Sequence, residues 1–378
     1  MRQFLILFSL IVAAGVIITA QEGPVNDGSQ TVAKPRKKAP DSTNPPEPDQ
    51  APIPSKLSPK NKPPSEEALD PSFKVESNLV TIDVSVLDNR GHFIPNIPRG
   101  NFRMLEDDVP QQIRTFNMGE APMTVALVVE FSNRFQYYWG EGWYQTLTAV
   151  YGFAETLKPE DYIAVIAYDM RPEILTDFTQ DKRKLNEALS RLRIPGFSES
   201  NLFDALVDTE ERMKEIEGRK AIVLIASGMD TFSKLTFDKA RKAIQEAGVP
   251  IYAIGTLQSL RNRADASGAM GSIARMDFYQ ADNQMKTFAK ETGGMSFFPV
   301  FFGEFPNIFQ SVSQALRNQY SIGYSPSNTA RDGKFRKVKI ELVNPQTNEP
   351  LRVTDEKGKP IKYQIVAKAG YKAPRTVE

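Results

Sequence analysis

Four apolar runs separated by helix-like segments constrain this chain more than any other feature. They are "TVALVVEFS" (124–132), "DYIAVIAYD" (161–169), "KAIVLIASG" (220–228) and "VPIYAIGTL" (249–257). Three of them are almost continuously apolar, the pattern of strands buried on both faces of a parallel sheet. "EILTDFT" (173–179) reads as an edge strand hairpinned to its predecessor. Helical patterns fill the gaps at 144–157, 181–193, 201–218 and 236–248. The second opens on Asp181 as a cap, and the fourth runs from Thr236 to a closing glycine. A further unit runs from "MKTFAKETGG" (285–294) through "MSFFPV" to a helix over 307–319, with Gly293-Gly294 as a cap. "SGAMGS" (267–272) reads as a floppy loop. This alternation predicts an open, doubly wound, mostly parallel α/β sheet.

The flanks change to period two. "LVTIDVSVLD" (79–88) alternates as a half-buried strand does, "NRG" turns the chain, and "NFRMLEDDVPQQIRTFN" gives two short strands joined by an acidic turn at Glu106–Asp108. After Gln319, "YSIGYSP", "RKVKIELV", "LRVTD" and "KYQIVAKAGY" are strand-like. Neither flank has enough strands for a core of its own. The economical arrangement is one β-sandwich made from residues 72–120 and 319–374, with the α/β domain inserted as residues 121–318. Two small independent β modules are the competing arrangement.

Met1-Arg2-Gln3 followed by the apolar run Phe4–Ala20 reads as a secretory signal cleaved near Ala20. The alternative is an uncleaved anchor, since 17 apolar residues reach the lower limit of a spanning helix. Either reading exports the remainder, to the periplasm or beyond, and only the second gives a membrane contact. Residues 21–71 hold 12 of the 27 prolines and almost no aromatics. Such a segment cannot bury enough apolar surface to order itself, and its prolines favour an extended spacer. The other reading is a ligand for a proline-reading domain or for cell wall.

Composition excludes several functions. There is no cysteine, so no disulfide, thiolate metal site or cysteine nucleophile exists. The single histidine, His92, lies in the turn-like stretch "LDNRGHFIPN", far in sequence from any serine motif, and reads as a loop residue. With 47 basic and 46 acidic residues, the chain lacks the basic excess of a general nucleic-acid binder. No phosphate-binding loop follows any strand.

Several stretches together resemble a family. "VSVLDNRGHFIPNIPRGNFRMLEDDVPQQIRTF", "DYIAVIAYDMRPEILTDFTQDKRKLNEAL", "SNLFDAL", "IASGMD", "FAKETGGMSFF", "NQYSIGYSP" and "GYKAP" occur in order over residues ~75–374. They resemble secreted bacterial proteins related to the von Willebrand factor type A domain, known mainly from acidobacteria. The resemblance implies that domain inserted in a β-sandwich. It also implies a metal-ion-dependent adhesion site gathered from three loops at the carboxyl ends of the strands.

At those positions this sequence departs from the family. The first-loop Asp is Glu130, the first serine is kept as Ser132, and the second serine is Arg134. The second-loop threonine matches Ser200; the third-loop Asp matches Ser227, with Asp230 three residues on. Magnesium tolerates little slack in its oxygen shell, and Glu is one methylene longer than Asp. Arg134 adds a fixed positive charge, which at ~5 Å repels a dication by several kcal/mol even at an effective dielectric of 20. The expectation is a degenerate site with no cofactor, built of Glu130, Ser132, Ser200 and Asp230. Arg134 either forks onto Glu130 or Asp230 or points to solvent. Weakly bound Mg²⁺ or Mn²⁺ is the remaining alternative.

"RFQYYWGEGWYQ" follows at once and contains both tryptophans, Trp139 and Trp143. It leaves the first strand where open α/β sheets bind ligands, and Trp, Tyr and Arg are the residues of binding hot spots. Arg134, Tyr137, Tyr138 and Trp139 are therefore the candidate partner-binding residues, while Trp143 and Tyr144 suit packing under the first helix. The function expected is an exported, non-enzymatic module binding a protein or cell-envelope partner. The alternatives are an exported hydrolase using crevice carboxylates such as Glu130 and Asp230, and a purely structural envelope component.

Overall fold

Pairing of strands from the two ends of the chain organises the molecule. The computed structural model describes residues 79–132, 147, 150–192, 197–268, 270–354 and 357–375. The signal and linker expectations (1–20 and 21–71) lie outside the described residues. β1 (Val80–Asp88), β2 (Phe102–Glu106), β3 (Val109–Gln111) and β4 (Ile113–Glu120) come from the first flank. β11 (Asn318–Tyr324), β12 (Phe335–Leu342), β13 (Val353–Thr354), β14 (Pro360–Ile361), β15 (Tyr363–Ala367) and β16 (Gly370–Lys372) come from the second. They interleave in two four-stranded antiparallel sheets, ordered β15-β1-β11-β4 and β16-β12-β2-β3; β13 and β14 form a separate hairpin. β2 and β12 alternate buried with more exposed residues, the mark of sheets packed on one face. Ile82, Val84, Phe102, Met104, Tyr320, Ile322 and Ile340 fill the space between the sheets. The expected acidic turn is present, with Asp107 and Asp108 both at positive φ.

The inserted unit is a six-stranded sheet in the order β10-β9-β8-β5-β6-β7. Its strands are β5 (Met123–Glu130), β6 (Tyr162–Tyr168), β7 (Pro172–Thr179), β8 (Arg219–Ala226), β9 (Ile251–Gly255) and β10 (Ser296–Phe297). All pairings are parallel except β6 with β7. Every residue of β5 is buried. Successive side chains of a strand face opposite ways, so Val125, Leu127 and Val129 enter one core and Ala126 and Val128 the other. The first core packs on helical residues 150–155 (α1), on α2 (Lys182–Ser190) and on α7 (Phe305–Arg317). The second packs on α3 (Leu202–Lys214), α4 (Phe237–Ala247) and α6 (Ser272–Thr292). Asp181 caps α2 by accepting from Arg183 N at 2.9 Å. The fold expected from the sequence, a doubly wound sheet inserted in the chain between the two halves of an antiparallel β-sandwich, is the fold observed.

One stretch differs from expectation. The loop expected at 267–272 separates two helices the sequence did not announce: α5 (Gln258–Ala266) before it and, after it, the 21-residue α6, which starts at Ser272 rather than at 285. The first half of α6 has no apolar stripe to read, because it stands clear of the core: Met276 is 71% exposed and Tyr279 52%. It is held by charge instead. Arg261 pairs with Asp282 and lies over the Tyr279 ring, and Arg275 pairs with Asp265 at 2.8 Å. Gly293 ends α6 at φ +81, a left-handed conformation that favours glycine.

The chain enters the inserted unit from β4 to β5 and leaves it from α7 to β11. The two crossings are neighbours, because β4 and β11 pair with Asn318 opposite Glu120. Asp161 and Arg317 form a buried ion pair beside them. Arg219 donates to the carbonyls of both crossings, at Arg317 and Gly119. Ser85 of β1 donates to the Ala315 carbonyl of α7 at 2.8 Å.

Candidate functional site

The carboxyl ends of β5, β6 and β8 open on one crevice, where open α/β sheets place their ligands. Glu130 is the last residue of β5, with Tyr168 of β6 its register partner. It is only 7% exposed. Its Oε1 accepts from the Ser132 hydroxyl at 2.9 Å, and its Oε2 accepts from the Ser227 N–H at 2.6 Å. The carboxylate thus bridges the loops after β5 and β8. Burial pushes the Glu130 carboxyl up, against the opposing pull of hydrogen bonds from Ser227 and Ser132.

Ser200 joins the second loop to the third. Its carbonyl accepts from Thr231 N at 2.8 Å and Phe232 N at 3.0 Å, and its own N–H donates to Thr231 Oγ1 at 2.9 Å. Next to it, Asn201 ties this loop to the end of β6 through Asp169 O at 2.8 Å and Met170 O at 3.1 Å. The Ser200 hydroxyl itself is fully buried and, like the Tyr168 hydroxyl, has no hydrogen-bond partner of acceptable geometry. Burial, followed by the charge of Glu130, pushes the Tyr168 phenol well up, so it stays protonated at every working pH.

Asp230 faces another way. Its Oδ1 accepts from Ser233 Oγ at 2.5 Å and from Phe203 N at 3.2 Å, in the first turn of α3. Asn201, at the cap position of α3, makes no side-chain cap bond, so Asp230 supplies the acceptor from the third loop. Burial raises the Asp230 carboxyl too. Asp204 performs a related task, accepting from Lys234 N at 2.9 Å and Leu235 N at 3.0 Å.

The structure therefore brings Glu130, Ser132, Ser200 and Ser227 together and turns Asp230 toward the start of α3. Arg134, Tyr137, Tyr138 and Trp139 lie outside the described residues, as do Trp143 and Tyr144. Sequence reasoning missed Tyr168. The one signal for it was its place at the end of an apolar run, level with Glu130. His92 lies in an exposed turn with Asp88, as expected of a loop residue.

A parallel sheet with helices on both faces, one antiparallel edge and a loop-built crevice at its strand ends defines a doubly wound α/β domain. More particularly, residues 125–295, within the inserted unit, match the family model of the von Willebrand factor type A domain. No curated protein matches the sequence. Among solved structures, the chain is similar to proximal thread matrix protein 1 from the mussel byssus, at 12% identity and TM-score 0.39, over 53% of this chain and 49% of that one. The chain thus spans about half the length of that protein. It is also similar to the von Willebrand factor domain of a type V pili tip protein from Porphyromonas gingivalis (14% identity, TM-score 0.38, 52% of this chain and 97% of that one). A third is a von Willebrand factor type A protein from Catenulispora acidiphila (10% identity, TM-score 0.39, 79% and 75%). Among the described residues, no helix is long and apolar enough to cross a membrane.

Proposed function

We propose that the chain is an exported, non-enzymatic protein-binding or adhesion module whose metal-ion-dependent adhesion site is degenerate. The observation that carries this reading is the Glu130 carboxylate, whose two oxygens are both engaged by donors of the protein's own loops. The longer side chain reaches a backbone amide of the β8 loop, where an aspartate at position 130 would stop short. The donor set fits a dication poorly. Position 227 contributes a neutral serine, Asp230 spends an oxygen on α3, and no group of three acidic or histidine side chains suited to a metal exists among the described residues. Ser200 offers one neutral oxygen, too little to replace a missing charge. In this reading Arg134 supplies the positive charge of the pocket, and recognition passes to Arg134, Tyr137, Tyr138 and Trp139, which follow Ser132 directly in sequence. The partner is a protein or a component of the cell envelope.

One feature favours the hydrolase alternative: a buried carboxyl raised above its ordinary range suits a general acid. Against it, Asp230, the second carboxylate that such chemistry needs, is turned to the helix start. Two measurements test the proposal. Calorimetric titration with Mg²⁺ and Mn²⁺ is expected to show no micromolar binding; clear binding that Glu130→Ala removes would overturn the degenerate site. Pull-down from envelope extract is expected to lose a specific partner on Trp139→Ala, and an unchanged set of partners would remove the aromatic surface from the account.

A further inference from the structure

A second groove lies beside the crevice. It encloses ≈ 410 Å³ between the loop after β8 and one face of α6. Its walls include Asp230, Asp277, Gln280 and Gln284, with Phe203 and Phe237. Residues 277, 280 and 284 share a helix face by their spacing of three and four. A helix packed on a sheet ordinarily makes such a face apolar; here three polar side chains line a cavity. Gln284 decides the matter. It is more than nine-tenths buried, and its side-chain amide makes no hydrogen bond within the protein. Its polar atoms are not sealed off, so they meet whatever occupies the groove. Neither Asp230 nor Asp277 takes part in an ion pair among the described residues, so the negative charge of the groove is uncompensated there.

We propose that this groove takes the guanidinium of an arginine displayed on a protein partner. A guanidinium is planar and carries five N–H donors and no acceptor. Two carboxylates and two amide oxygens supply acceptors, and the Phe203 and Phe237 rings offer apolar and π surface to its plane and stem. A groove of this volume is wide for a bare ion and suits a side chain. Where a metal-loaded site would attract an acidic group, this end of the domain attracts a basic one. The inference rests on the reading that the strand-end face is a recognition surface.

The test is NMR titration of the isotope-labelled full chain with acetyl-Gly-Arg-Gly-amide. The signals to follow are the side-chain amides of Gln280 and Gln284, assigned through Gln280→Met and Gln284→Met. Saturable shifts are expected with the arginine peptide, at least fivefold weaker binding with the lysine analogue, and none with the glutamate analogue. Asp277→Asn, at an exposed position, should weaken arginine binding at least fivefold. No shift, an equal response to the glutamate peptide, indifference to Asp277→Asn, or displacement of the same signals by calcium chloride alone would each overturn the proposal. Arginine binding is read apart from the pull-down, so loss of a partner on Trp139→Ala without arginine binding would sink this inference alone.

Discussion

Arg317 and Asp161 grip each other with both ends: Nη1 donates to Oδ1 at 3.3 Å and Nη2 to Oδ2 at 2.5 Å, with the carboxylate side chain fully buried. Arg317 closes α7 at one crossing between the two parts of the fold. Asp161 also accepts from Met123 N, at the first residue of β5, at 3.1 Å and from Lys158 N at 2.8 Å. One carboxylate therefore holds the entry strand, the exit helix and the turn before β6.

Removing Asp161 should be severe. Asp161→Ala leaves a buried guanidinium without its counter-charge, held only by the Thr156 carbonyl, and strips two N–H groups of their acceptor; breaking such a pair costs about 3–5 kcal/mol. Arg317→Met should cost less, because Asp161 keeps its two backbone donors. Urea unfolding of both variants checks the order, and a larger loss for Arg317→Met would contradict it.

Glu130 should give the domain a pH signature. Burial raises its carboxyl in the folded state, so folding binds its proton more tightly than the open chain does. That contribution is complete below the unfolded value and is lost as pH rises through the folded one. Glu130→Gln has no such proton to lose. Its stability relative to wild type should therefore rise between pH 4 and pH 8, and thermal unfolding across that range measures it. A flat difference would count against the assignment.

Restoring the family's residues should restore the metal. Glu130→Asp, Arg134→Ser and Ser227→Asp together shorten one ligand, add one charge and remove one cation. The combined variant should bind Mn²⁺ at least tenfold more tightly than wild type by calorimetry. An unchanged affinity would mean that the loops, not these three side chains, set the outcome.

Gly293 and Gly218 share a left-handed backbone, with φ +81 and +83. A Cβ on Gly293 would stand 2.3 Å from Lys368 N, whereas one on Gly218 would meet nothing within 4 Å. Gly218→Ala should cost about 1 kcal/mol from backbone conformation alone. Gly293→Ala should exceed it by ~1–3 kcal/mol, because the obstruction is backbone that cannot swing aside. Equal losses in paired denaturation curves would refute the contact.

Much of this architecture is legible in the chain because strong periodicities produce it. β5 is apolar throughout since both its faces are covered, and β12 alternates since one of its faces is not. The start of α6 is invisible to the same reasoning. Its residues lie outside any core, and the Arg261–Asp282 and Arg275–Asp265 pairs that hold it join positions 21 and 10 apart, separations that leave no local pattern. In the crevice, Glu130 and Ser132 were legible at the end of their apolar run, and Ser200 only through the family resemblance. The turn of Asp230 toward α3 was not. It depends on Ser233 and Phe203 N, one in its own loop and one in the next helix.

The adjacent crossings have a mechanical consequence. A pull entering through β1 and leaving through β16 meets the ladders of β1 with β11 and of β2 with β12 before it reaches the inserted sheet. These ladders short-circuit the longer covalent route, so tension shears the sandwich while the inserted sheet stays slack. The strand-end loops of that sheet can keep their shape under load until the outer layers give way.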